Sequence, residues 1–172
     1  MWQRKGAEGG GVVSGSGAAF LVLESRQHAE ARGGRIYATL GPVVSDLARR
    51  RKQDLGEAIA GLLGKADLPA NGPLLAMSGA SGAHAATKAE KAALERNPQL
   101  VARAFGSLTG HMKEAQFPFA VALAALAIDR KAGYPAFDAA NERAYEGAPR
   151  SVLATAIGYH YFEGMALVGA PD

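Results

Sequence analysis

A chain of 172 residues is about one domain long, and 48% hydrophobic with 20% charged residues describes a globular protein, not a disordered or fibrous one. A formal charge of +3 is too small to argue for a nucleic-acid partner. The lack of cysteine excludes disulfides, a thiolate metal site and a cysteine nucleophile on this chain. No apolar run reaches the ~20 residues that span a bilayer, and no signal peptide precedes the first glycines, so a cytoplasmic protein is expected.

Residues 1–17 are glycine-rich. Residues 18–24 (AAFLVLE) are a short apolar run and predict a buried strand. Residues 25–32 predict a short helix closed by Gly33-Gly34, and residues 35–44 a second strand. Arg49-Arg50-Arg51-Lys52, with the looser set Arg26, Arg32 and Arg35, reads as solvated surface in preference to a docking patch. Residues 54–65 place Leu55, Ile59, Leu62 and Leu63 at helical spacing. Residues 73–77 predict a strand that ends in the small-residue loop Ser78-Gly79-Ala80-Ser81-Gly82. A charged helix is expected at 87–96, with Thr87 as cap and Glu90 at the spacing of a capping box. A strand follows at 100–105, then a long helix at 111–131 with Pro118 in its first turn or kinking it. Strands at 151–157 and 165–168 close the chain around a loop. Strands alternating with helices argue for a layered α/β sheet that finishes in a hairpin-like pair.

Two features stand out. Residues 117–128 (FPFAVALAALAI) are apolar nearly all round, and such a helix is buried on every side. One sheet covers one face only, so something else must cover the other. Ahead of it, Thr109-Gly110-His111 sets an imidazole at the expected helix start. There the helix dipole favours the neutral ring, which can donate to a developing oxyanion; capping or packing is the competing role.

These segments resemble the C-terminal half of the β-ketoacyl-acyl carrier protein synthases, the elongating condensing enzymes with the thiolase fold. Gly15-Ser16-Gly17-Ala18-Ala19-Phe20-Leu21-Val22-Leu23-Glu24, followed by His28-Ala29-Glu30-Ala31-Arg32-Gly33, is similar to that family's GEGAxxLVLE…HAxARG segment. The stretch from Ser78 to Glu90 takes the place of its HGTSTxxxDxxE loop. Ser107-Leu108-Thr109-Gly110-His111 resembles KxxxGHxxGAAG. Tyr134-Pro135-Ala136-Phe137-Asp138 and the closing residues 151–168 sit where the family has a proline turn and its NSFGFGGxNAxLV gating loop. The resemblance covers nearly the whole chain, residues 1–172. It implies an α/β fold, the C-terminal half of a thiolase-like layered architecture with a mixed sheet and packed helices.

The implied chemistry is a decarboxylating Claisen condensation with no cofactor or metal. In the family a cysteine carries the acyl chain, two histidines bind the malonyl carbonyl, and a lysine and a glutamate organise the second histidine. Neutral imidazole donors in a dry site stabilise the enolate left by decarboxylation. This chain departs from that set. The first histidine falls on Ser78 and the lysine on Gly106; the glutamate survives as Glu90, and His111 alone matches residue for residue. His84 lies too late to replace the first histidine and reads as an exposed loop residue. The small residues after the second histidine become Glu114, Ala115, Gln116 and Phe117, so Gln116, Phe117 and Phe119 are candidates for walls of an altered acyl tunnel. The gating loop has lost glycines and holds His160, read as structural. The GEG glutamate is Ser16. The cysteine would belong to an N-terminal half that this chain lacks.

Three readings follow. The first is a non-catalytic or accessory subunit of fatty-acid synthesis, including very long acyl chains for lipid A. Like a chain-length factor or a divergent second synthase, it would pair with an active condensing enzyme and its acyl carrier protein. The second is a fragment of an active synthase, which the abrupt opening at Met1-Trp2-Gln3 favours. The third is a non-enzymatic half-fold binding module or remnant. All three expect a second ketosynthase half or subunit as partner, and none expects nucleic acid or a membrane span.

Overall fold

A computed structural model describes residues 1–2, 12–47 and 53–171. In chain order the helices are α1 (Arg26–Ala31), α2 (Leu55–Lys65), α3 (His84–Glu95), α4 (Gly106–Thr109) and α5 (Gln116–Asp129). The strands are β1 (Thr39–Leu40), β2 (Val44–Asp46), β3 (Leu74–Ser78), β4 (Leu100–Ala104), β5 (Ser151–Ile157) and β6 (Glu163–Gly169). They form one mixed sheet in the order β1-β6-β5-β3-β4, with β2 also on β6. β3 lies parallel to both β4 and β5, while β6 returns antiparallel beside β5 as the hairpin expected from the sequence.

Alternation along the strands sends successive side chains to opposite faces and builds two cores. Leu74 and Ala76 of β3 with Leu153 and Ile157 of β5 meet Leu55, Ile59, Leu62 and Leu63 of α2 and Leu94 of α3. On the other face Leu75, Met77, Val152, Ala154 and Val168 meet Ala120, Val121, Ala124 and Ile128 of α5. The strands β3 and β5 are buried on both faces over most of their length, which is why they read as largely apolar runs.

Several boundaries follow from local chemistry. Ser25 caps α1 by accepting from the His28 amide, and Asp54 caps α2 by accepting from Glu57 at 2.9 Å. The strand expected at 35–44 is split in two. Gly41 still donates to the Leu167 carbonyl at 2.9 Å, but Pro42 has no amide to donate, and the ladder resumes at Val44.

Four sequence expectations are corrected. The capping box at Thr87 does not form: α3 starts at His84, and Thr87 accepts from the Gly82 amide while Glu90 turns into the core. The charged surface of 87–96 had hidden this inward-facing carboxyl. His84 accordingly is exposed but on a helix, not a loop. The long helix starts at Gln116, not 111, with Pro118 in its first turn, because His111 is drawn into a parallel bridge with Ser14 and Lys113 has φ 51°. Residues 18–24 are neither paired nor buried: Phe20 is 95% exposed and Val22 84%. Their apolar character was read correctly, but among the described residues nothing lies over them. The basic run at 49–52 lies outside the described residues.

The long apolar helix is buried along the face that meets the sheet and half-buried over most of the rest, whereas its composition predicts burial on every side. Gln116, Ala120, Val121, Ala124, Ala127 and Ile128 are buried against the sheet, whereas Leu126 is exposed and Phe117, Phe119 and Leu123 are half-buried. Among the described residues no helix is long and apolar enough to cross a membrane.

The free edge of β4 is closed by polar side chains. Arg143 donates to the carbonyls of Pro98 and Leu100, and Arg103 to that of Ala102. Glu142 accepts from the amides of Ala104 (2.7 Å) and Phe137 (2.7 Å) and from the indole of Trp2 (2.9 Å). Such covering removes the unpaired backbone on which another strand could dock. Glu142→Ala leaves buried donors without an acceptor, so we predict a loss on the order of 3 kcal/mol in chemical denaturation, with Glu142→Gln retaining part of it.

Candidate functional site

The C-terminal ends of β3, β4 and β5 point the same way, and a parallel sheet offers its site there. Two glycine-bearing segments cross at this end. His111 donates its amide to Val13 at 2.6 Å, and Gly15 donates to the His111 carbonyl at 2.9 Å. A side chain at Gly15 would overlap the Thr109 carbonyl, and one at Gly110 (φ 72°) would overlap Gly15. The approach is that close because both positions lack a Cβ. The Gly15-Ser16-Gly17 and Thr109-Gly110-His111 segments, far apart in sequence, are thus two sides of one contact.

That contact holds His111 half-buried, with Nδ1 buried and without a hydrogen-bond partner. Burial pushes its pKa below the ordinary histidine value; Gln116 and Glu114 oppose this, and Lys113 adds to it. Burial thus favours the neutral ring; the helix dipole expected to do so is not at hand, since α5 begins farther on, at Gln116. A neutral imidazole at this place can donate one hydrogen bond to a carbonyl or enolate oxygen.

Beside it a polar cluster is sealed inside the core. Ser78, fully buried at the end of β3, donates to Glu90 Oε1 at 2.8 Å and accepts from the Ala80 amide at 3.1 Å. Thr155 of β5 donates to the same oxygen at 2.5 Å. Glu90 Oε2 is buried with no partner. Burial raises the Glu90 pKa, and the hydroxyls of Thr155 and Ser78 only partly offset it. Among the described residues no cation contacts the group, and burial favours its protonated form.

Gln116 links the two parts. Its side chain accepts from the Met112 amide at 2.9 Å and donates to the Gly79 carbonyl at 3.3 Å, tying the His111 loop to the end of β3. Gly106 opens α4 and is buried; a Cβ there would come 2.9 Å from the Ala80 carbonyl and 3.1 Å from the Met1 methyl. Met1 also anchors its amino group on Ser107 at 3.1 Å. Phe117 and Phe119 flank the first turn of α5, and Phe119 stacks on Phe105 with ring centroids 5.6 Å apart. His160 is exposed in the β5–β6 turn, edge-on to Tyr159.

The structure thus gathers Ser78, Glu90, Gly106, His111 and Gln116 at one end of the sheet and leaves His84 and His160 at the surface. Sequence reasoning missed Thr155. Its signal was present, since Thr155 is the one polar side chain within the run VLATAI. Among the described residues no cluster of His, Asp and Glu could hold a metal ion. A separate cavity of about 300 Å³ lies along the β4 edge between Trp2, Lys91, Leu94, Asn141 and Arg143, and none of the site residues lines it.

No family model matches the chain, and no curated protein matches it in sequence. Solved structures do match it in fold. The ishigamide ketosynthase/chain length factor superposes with a TM-score of 0.76 over 94% of this chain and 45% of its own, at 22% identity. A type II polyketide acyl-carrier protein in complex with its ketosynthase bound to the hexaketide gives a TM-score of 0.70 over 87% and 42%, at 22% identity. A beta-ketoacyl synthase from Burkholderia phymatum gives 0.60 over 87% and 41%, at 17% identity. The chain therefore has the fold of a thiolase-like ketosynthase half, with its mixed sheet and packed helices, and spans less than half the length of these relatives.

The sealed carboxyl has a measurable consequence. Glu90 keeps its proton in the folded chain at a pH where the unfolded chain has released it. Its contribution is complete below the ordinary carboxylate value of 4.5 and is lost as pH rises toward the higher folded value. In chemical denaturation across pH, Glu90→Gln is expected to flatten that decline; an unchanged profile would place the titration elsewhere.

Proposed function

We propose that this chain is a cytoplasmic ketosynthase-like accessory subunit that does not itself condense. In this reading it pairs with an active condensing enzyme of fatty-acid or related acyl-chain synthesis, works with that enzyme's acyl carrier protein, and shapes the acyl path with Gln116, Phe117 and Phe119. The observation that carries it is the Ser78–Glu90–Thr155 cluster. In this reading Ser78, whose buried hydroxyl is bonded inward, stands for the first histidine, and Gly106 stands for the lysine and offers no amine. What remains is His111, a neutral donor without an acid/base partner of known geometry. The printed descriptions of the fold neighbours, a ketosynthase/chain length factor and a ketosynthase with its carrier protein, support this class of partner. They do not separate fatty-acid from polyketide chemistry, so the acyl class is part of the proposal.

One observation favours a second reading, a fragment of a longer synthase: the chain spans only 45% of the ishigamide protein. The coding sequence upstream of Met1, read for an in-frame half with a cysteine nucleophile, separates the two. The chain alone is expected to form no β-ketoacyl product from acyl-carrier and malonyl-carrier thioesters in a mass-spectrometric assay. Elongated product would overturn the accessory reading. Slow malonyl decarboxylation that disappears in His111→Ala is compatible with it, because one oxyanion donor is worth roughly 3–4 kcal/mol in a preorganised site.

A further inference from the structure

The cavity along the β4 edge combines an apolar wall with unengaged cationic donors. It measures about 300 Å³, the lower end of the range for small-molecule sites, and none of Ser78, Glu90, His111 or Gln116 lines it. Trp2, Leu94 and Leu100 supply the apolar wall, and all three belong to the buried core. Lys91 and Arg143 supply the cations.

The acidic residues of the lining are occupied or screened. Glu142 Oε1 accepts from the Ala104 amide at 2.7 Å and the Trp2 indole at 2.9 Å, and Oε2 accepts from the Phe137 amide at 2.7 Å. The charge of Glu142 also acts on Arg103, a guanidinium with no exposed surface. Glu95 stands 3.8 Å from Lys91 but is 65% exposed, where water screens the pair. The cations, by contrast, keep free N–H groups. Lys91 Nζ makes one hydrogen bond, to Asn141 Oδ1 at 3.1 Å. Arg143 uses Nη2 alone, on the carbonyls of Pro98 and Leu100 at 2.7 and 2.8 Å, and its Nε and Nη1 bond nothing among the described residues.

We propose that this cavity binds a small organic carboxylate with a ring-sized apolar body, seated against Trp2 and Leu94 with its carboxylate on Lys91 and Arg143. A cationic ligand would meet two like charges and a carboxylate whose oxygens already accept three donors. A neutral apolar ligand would cover the cations without satisfying them. An anion with an apolar body meets both halves of the lining, and charge-assisted hydrogen bonds to its carboxylate are the stronger kind. The site draws on α3, the β4 edge and the turn at 141–143, so it is independent of the ketosynthase-like reading of His111 and Glu90.

Trp2 is the only tryptophan in the chain, so its fluorescence reads the cavity directly. The probe is 3-phenylpropionate, whose ring does not absorb where the indole is excited. Its titration is expected to change the Trp2 emission saturably and to raise the unfolding temperature with concentration. The neutral analogue 3-phenylpropionamide, and inorganic phosphate with charge but no ring, should each bind roughly tenfold more weakly or worse. Lys91→Met, at a partly exposed position outside the core, should weaken the probe by a similar factor while leaving the unfolding of the free chain unchanged. If that variant does not fold, the three ligands on the unaltered chain decide the matter by themselves. Equal binding of acid and amide overturns the role of the two cations. Equal binding of phosphate overturns the apolar seat. No saturable response to the acid in the folded chain overturns the site.

Discussion

The site end of this molecule is organised by one buried, uncharged carboxyl. Glu90 is presented from α3 to Ser78 on β3 and Thr155 on β5, so a single oxygen ties a helix to two neighbouring strands. An ionised carboxylate there, with no cation in contact, would cost far more than two hydroxyl bonds return. Protonated, the group satisfies both hydroxyl donors at the price of one orphaned atom. The two hydroxyls make the carboxyl a structural bracket between α3, β3 and β5.

The neighbourhood of His111 lies beside this bracket. Without a long side chain at 106, the Met1 side chain approaches α4 closely, with its amino group on Ser107. Gln116 spans the gap between the His111 loop and Gly79, where small residues stand in the family pattern. His111 keeps its backbone seat because Gly15 and Gly110 still allow two segments to touch. The imidazole is held in a desolvated place, and the polar groups around it are engaged in packing and hydrogen bonding with one another.

The two bare stretches of the architecture are treated in opposite ways. At β4, Arg103, Glu142 and Arg143 occupy the free backbone groups. At 18–24 the side chains of Phe20, Val22 and Leu23 face outward, and no backbone hydrogen bond to the segment occurs among the described residues. At about 25 cal/mol per Å² of apolar surface, leaving such side chains wet forfeits several kcal/mol. That is a large share of the roughly 5–15 kcal/mol stability of an ordinary domain.

The sequence by itself determined most of the element order. Helical spacing marked α2, short and mostly apolar segments marked β3, β4 and β5, and the closing pair was recognised as a hairpin, since local periodicity and turn chemistry dictate each of these. It also flagged His111 and the long apolar helix. It did not place residues 18–24, because an apolar run reports that a segment should be covered and not whether its own chain covers it. Thr87 and Glu90 matched a capping box by spacing, yet their side chains were claimed by Gly82 and by the Ser78 and Thr155 hydroxyls, partners that exist only once α3 lies on the sheet. The start of α5 was likewise decided by Ser14, distant in sequence, which holds His111 in a bridge. Spacing along the chain determines which hydrogen bonds are locally available; only the tertiary structure decides which competing partner arrives.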